Sequence, residues 1–124
     1  MVKRVGGTFT GTTPLTIWTP ETGNRILLNG IYLQAWVVTA LVGATPFDFV
    51  GVCAGTNSTV LWDIGRIASA TDAAGISYGY FPISFPGAYA FANVDSPLVV
   101  ATGATIGTGV IRVRGFVYGS ERLG

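Results

Sequence analysis

The stretch Asn24–Thr39, NRILLNGIYLQAWVVT, decides the fold. It is nearly uncharged and rich in Ile, Leu, Val, Tyr and Trp, with turn-forming TPETG before it and VGATP after it. Side chains of these types fill a pleated surface, and Gly and Pro on both flanks bound the run, so it predicts a long central strand. Asn29-Gly30 interrupts it. Glycine inside a strand marks a bulge or a close approach, and a bulge reverses which residues face inward. The reading is therefore two segments, Arg25–Leu28 and Ile31–Val38, joined by a kink. In the second, Tyr32, Trp36 and Val38 share one face, and Ile31, Leu33, Ala35 and Val37 share the other. A strand apolar on both faces needs cover on both. The domain's own core supplies one cover, and another layer or another subunit supplies the second.

Outward from this stretch the chain reads as short strands between turns. Before it, Met1–Pro14 is polar and rich in Gly and Thr, and is expected to be an extended arm that orders on a partner. Leu15–Trp18 is a short strand. After it come Phe47–Ala54, Thr59–Ile64, Ile76–Phe81, the short aromatic Ala88–Ala92, Leu98–Thr102 and Val110–Tyr118. The Phe-Pro pairs at Phe81-Pro82 and Phe85-Pro86 belong at a sheet edge or corner, because proline cannot donate to a ladder. Ile67–Gly75 is too short to stand alone as a helix and reads as a loop; Gly119–Gly124 reads as a tail. The last strand alternates most clearly, with Ile111, Val113 and Val117 facing one way and Arg112, Arg114, Phe116 and Tyr118 the other. About eight strands at short spacing and no convincing helix predict an antiparallel β-sandwich or barrel. No internal repeat is visible, which argues against a propeller or solenoid.

Composition bears on partners. Charged residues make up 10% of the 124 residues and hydrophobic ones 49%, with a mean hydropathy of +0.54. An average soluble chain is about a quarter charged. Either the surface is polar but uncharged, or much of it is buried in an assembly, and obligate interfaces resemble a core cut in half. Net charge is +1, and Lys3-Arg4 is the longest basic run, so nucleic acid is not an expected partner. Two long uncharged windows, Ile26–Phe47 and Ala73–Val94, carry too many Pro, Gly and polar residues to span a membrane. Gly6–Pro14 occupies the place where a secretory signal would need an apolar stretch. Cys53 is the single cysteine, which excludes an intrachain disulfide, and its apolar context suggests an inert buried thiol.

The chain contains no histidine. That removes Ser-His-Asp and Cys-His nucleophiles and the usual zinc sites. Asp48, Asp63, Asp72 and Asp95 are the carboxylates that chemistry would use, but they do not cluster, and isolated Asp near turns is ordinarily a turn former. Calcium at Asp72 or Asp95 lacks the dense Asx spacing of a binding loop. Trp18, Trp36, Trp62, Tyr78, Tyr80 and Tyr89 are able to stack on sugars, although core or subunit packing is the default for aromatics in a sandwich. Arg112 and Arg114 share a face with Phe116 and Tyr118, and interfaces are enriched in aromatics and Arg. No enzyme and no cofactor are expected.

The turn ending in Gly23 with the long strand Arg25–Trp36, and the closing stretch Gly109–Gly119 followed by Glu121, resemble small all-β virion proteins of tailed bacteriophages. The resemblance spans Thr19–Glu121. Those proteins carry a jelly-roll domain similar to the tumour-necrosis-factor type, usually form trimers, and serve as capsid decoration proteins, head fibres or adhesins. The resemblance implies residues 15–124 as one jelly-roll domain behind the arm of residues 1–14. It also implies a homotrimer on a capsid surface, bound to the major capsid protein, without catalytic residues. The trimer contacts would fall on Trp36, Arg112, Arg114, Phe116 and Tyr118. The arm would touch the capsid through Lys3, Arg4 and Phe9. The alternative role is a receptor- or glycan-binding adhesin head.

Overall fold

The computed structural model describes residues 1–10, 13–55, 60–84, 90–103 and 107–124, and among these there is no helix. Nine strands follow in order: β1 Val2–Phe9, β2 Leu15–Trp18, β3 Asn24–Val42, β4 Phe49–Ala54, β5 Val60–Arg66, β6 Ser77–Ser84, β7 Ala90–Phe91, β8 Leu98–Thr102 and β9 Thr108–Leu123. They form two antiparallel sheets packed as a β-sandwich. One has the order β1-β9-β3-β6, with β7 also pairing with β3; the other has the order β2-β8-β4-β5. The pairings are nested: β1 with β9, β2 with β8, β3 with β6, β4 with β5.

The Asn29-Gly30 kink is a register shift between Leu28 and Gly30 in the β3–β9 ladder. It does what a bulge does to a period of two. Before it, Ile26 and Leu28 are buried; after it, Ile31, Leu33, Ala35 and Val37 are. The core face thus moves from even to odd positions, and Tyr32, Gln34, Trp36 and Val38 point away from the core. Gly30 also meets the second demand on a strand glycine, because any Cβ there would run into the ring of Tyr118.

Two expectations are corrected. The expected arm of residues 1–14 is, over Val2–Phe9, a strand of the sandwich itself. Val2–Phe9 pairs residue for residue with β9, from Val2 opposite Tyr118 to Phe9 opposite Ile111. Val5 and Phe9 lie in the core, each 4% exposed. The polar Gly6-Gly7-Thr8 run hides this strand in the sequence. The pairing comes from β9, whose long ladder needs a second partner, and tertiary context outweighs local preference in strands. The expected tail is strand as well, with Asn24 opposite Leu123 and Leu28 opposite Gly119. Strand Thr59–Ile64 is shifted to Val60–Arg66. Its expected first residue, and most of Ala88–Ala92 with Phe85-Pro86 and Tyr89, lie outside the described residues or have side chains outside them.

The main core gathers inward residues of both sheets, including Ile26, Leu28, Leu33, Val50, Val52, Leu98, Val100, Ile111 and Val117. The second sheet has apolar cover on part of its other face. Cys53, Val99 and Ala101 form a small separate cluster, with Phe49 packed against it. Ile67–Gly75 is a loop, organised by the Asp72 carboxylate at its centre.

Candidate functional site on the outer face of the β1–β9–β3 sheet

Residues directly opposite one another in an antiparallel ladder share a face, so the registers lay out the outer surface row by row. Arg4 stands opposite Phe116, and Phe116 opposite Tyr32. Gly6 stands opposite Arg114, and Arg114 opposite Gln34. Thr8 stands opposite Arg112, and Arg112 opposite Trp36. At the other end Val2 faces Tyr118, whose ring lies over Gly30.

This face is half aromatic and half basic. Tyr32 and Phe116 stack with ring centroids 5.3 Å apart and planes 7° from parallel. Tyr118 continues the strip, 6.5 Å from Phe116 and tilted by 41°. Phe116 remains 38% exposed. Arg4, Arg112 and Arg114 are exposed, while Tyr32, Gln34, Trp36 and Tyr118 are half-buried. Along the Arg4–Phe116–Tyr32 row and the Arg114–Gln34 row beside it runs a groove of about 590 Å³, lined by these five residues and Gly115, with Val5 below. Gly115 has φ of 139°, and a Cβ there would collide with the Tyr32 carbonyl oxygen, so the groove floor is bare backbone.

The five residues expected at a subunit contact therefore do share one face. The three expected on the arm do not. Arg4 is on the groove, Phe9 is in the core, and Lys3 points to the opposite side, its Nζ 5.6 Å from the centre of the Trp18 ring. Tyr32 and Gln34 are the groove residues that sequence reasoning did not single out. The alternation of β3 puts Tyr32 on the face of Trp36, but only the pairing of β1 with β9 brings Arg4 into the row of Tyr32 and Phe116.

The remaining candidates have local duties. Trp18 and Tyr78 are buried, at 2% exposure each. Trp18 donates its indole N–H to Glu121 Oε2 at 3.0 Å, while Glu121 Oε1 accepts from the Glu21 N–H at 2.7 Å and from Asn24 Nδ2 at 3.2 Å. The Trp18 bond first, then that of Glu21, holds the Glu121 carboxyl below its ordinary range. This knot ties the end of β9 to the β2–β3 turn. Asp95 accepts from the Gly23 N–H at 2.6 Å. Asp63 pairs with Arg66 on β5. Asp72 is 2% exposed and accepts from the Tyr78 hydroxyl at 2.6 Å, the Ala68 N–H at 3.0 Å, and the Ser69 N–H and hydroxyl at 2.9 and 3.1 Å. Burial pushes its carboxyl up, but these donors together bring it below the usual value; Tyr78 is pushed up by burial and by the same carboxylate. Cys53 is pushed up to about 11, chiefly by burial and then by Asp63, so it is a neutral thiol at physiological pH. Among the described residues no three His, Cys, Asp or Glu side chains converge as metal ligands.

Comparison with protein-family models, with curated proteins and with solved structures finds no match. What the fold and the face define is a class: an antiparallel β-sandwich presenting one aromatic and arginine-rich sheet surface.

Proposed function

We propose that the protein is a non-enzymatic structural protein of a phage virion, a jelly-roll domain that trimerises on the capsid surface, binds the major capsid protein and reinforces the shell. The observation that carries this reading is the half-exposed strip of Tyr32, Phe116 and Tyr118 with Trp36 nearby, on a sheet whose other face is already the core. Interfaces favour such anchors. The nested strand pairing supports the jelly-roll assignment, since a jelly roll is a long antiparallel hairpin wound into two sheets. The low charge and the resemblance to small virion proteins point the same way. The mechanism is passive: whatever binds only the assembled state stabilises it by mass action. Of the contacts first assigned to the arm, Arg4 is the one that stays on the outward face.

Light scattering on the eluting protein tests the reading. The expected mass is three times 12.9 kDa, together with co-sedimentation of the protein with assembled capsids. A monomer that stays in the supernatant would sink it. The second reading, a receptor- or glycan-binding head, is favoured by the Arg4–Arg114 groove.

A further inference from the structure

The outer face carries charge that the chain itself does not balance. Arg4, Arg112 and Arg114 are exposed there, and their neighbours across the ladders are Phe116, Gly6, Thr8, Gln34 and Trp36, none of them acidic. Five of the six carboxylates accept hydrogen bonds elsewhere: Asp48, Asp63, Asp72, Asp95 and Glu121. A second copy stacked face to face on this groove would bring three more arginines, and opposing like charges is costly, so a subunit contact here would have to set the aromatic strip against a different patch of the neighbour. The groove therefore favours an anion from outside the chain.

Its shape narrows the choice. About 590 Å³ is the size of a small-ligand site. β9 and β3 are interior strands, laddered on both sides, so a peptide has no free backbone edge there to add to. Recognition has to come from side chains. Two guanidinium forks suit a carboxylate. The Gln34 amide both donates and accepts, as a ring hydroxyl requires. Phe116 and Tyr32 form an apolar wall for the C–H face of a sugar ring. Gly6, opposite Arg114, has nothing within 4 Å of where a Cβ would stand, which leaves the approach open.

We propose that this groove binds an acidic saccharide, its carboxylate held by Arg4 and Arg114 and a ring hydroxyl by Gln34. The proposal rests on the uncovered face and not on the trimer.

The test is calorimetric titration of the intact protein with digalacturonate, against a neutral disaccharide, inorganic phosphate and triglutamate. Digalacturonate should bind and the neutral sugar should not. Arg4→Gln and Arg114→Gln should each weaken binding about tenfold, as expected for loss of one charge-assisted contact. Arg122→Gln, at the far end of β9, should leave it unchanged. Gly6→Leu keeps every arginine but overhangs the groove, and should also weaken binding. Absence of digalacturonate binding overturns the proposal, as does equal affinity for phosphate or triglutamate, or unchanged affinity in both arginine variants. The native mass measured alongside separates the two readings. Three copies without sugar binding overturn this inference and leave the assembly standing, whereas a monomer that binds sugar does the reverse.

Discussion

At the scale of single residues, Asp72 shows how one buried carboxylate organises a loop that lacks regular structure. Its two oxygens gather four donors from Ala68, Ser69 and Tyr78, and the backbone of the same loop reaches β3 through the Leu41 N–H, which donates to the Asp72 carbonyl at 2.9 Å. Removing a partner leaves buried polar groups unsatisfied, so Tyr78→Phe should cost about 1–3 kcal/mol and Asp72→Ala about 3 kcal/mol. The double variant should cost less than the sum, because the two share one bond. Urea unfolding of the four proteins measures this. The pH dependence has a definite sign. The folded carboxyl titrates below its ordinary value of 3.8, so its contribution is complete above that value and is lost as pH falls through the folded pKa. Wild-type melting temperature should therefore drop more steeply on acidification than that of Asp72→Asn. Parallel curves would show that another group dominates acid unfolding.

At the scale of elements, the long strand was readable because its signals agree. Apolar and aromatic residues, flanking turns and a glycine at the bulge all specify the same strand, and the change of buried parity from Leu28 to Ile31 follows from Gly30 alone. β1 was not readable. Val5, Gly7 and Phe9 do alternate inward, but Gly7 has no side chain to show the pattern; its place is set by Leu15, whose Cδ1 would stand 2.9 Å from any Cβ there. The groove was half readable for the same reason. Arg112, Arg114, Phe116 and Tyr118 announce one face of β9, while Arg4 joins them only through long-range pairing. If β1 is part of the domain, Phe9→Ala should cost about 3–4 kcal/mol, the usual cost of truncating a buried Phe. The urea midpoint should fall with little change in slope. An arm that orders only on a partner would leave the midpoint of the free protein where it was.

At the scale of the whole molecule, the question is what the first sheet turns outward for. The second sheet covers part of its own outer side with Phe49 packed against Cys53, Val99 and Ala101. The first sheet leaves Phe116 38% exposed beside three arginines. Such a surface either meets copies of itself through its aromatic strip or holds a ligand in the Arg4–Arg114 groove that the strip walls. If the aromatic strip joins subunits, dissociation is coupled to unfolding, and the melting temperature rises with protein concentration. Phe116→Ala should abolish that rise. In dilute solution it should lower stability by only about 1 kcal/mol, the worth of its stacking on Tyr32. Arg4→Gln should leave the concentration dependence intact, because Arg4 stands beside Phe116 and its loss removes a charge but none of the aromatic surface of the strip. A melting temperature independent of concentration in the wild type would remove the self-association reading. The aromatic strip would then serve as the wall of the groove, and Phe116→Ala would act on sugar affinity instead of on assembly.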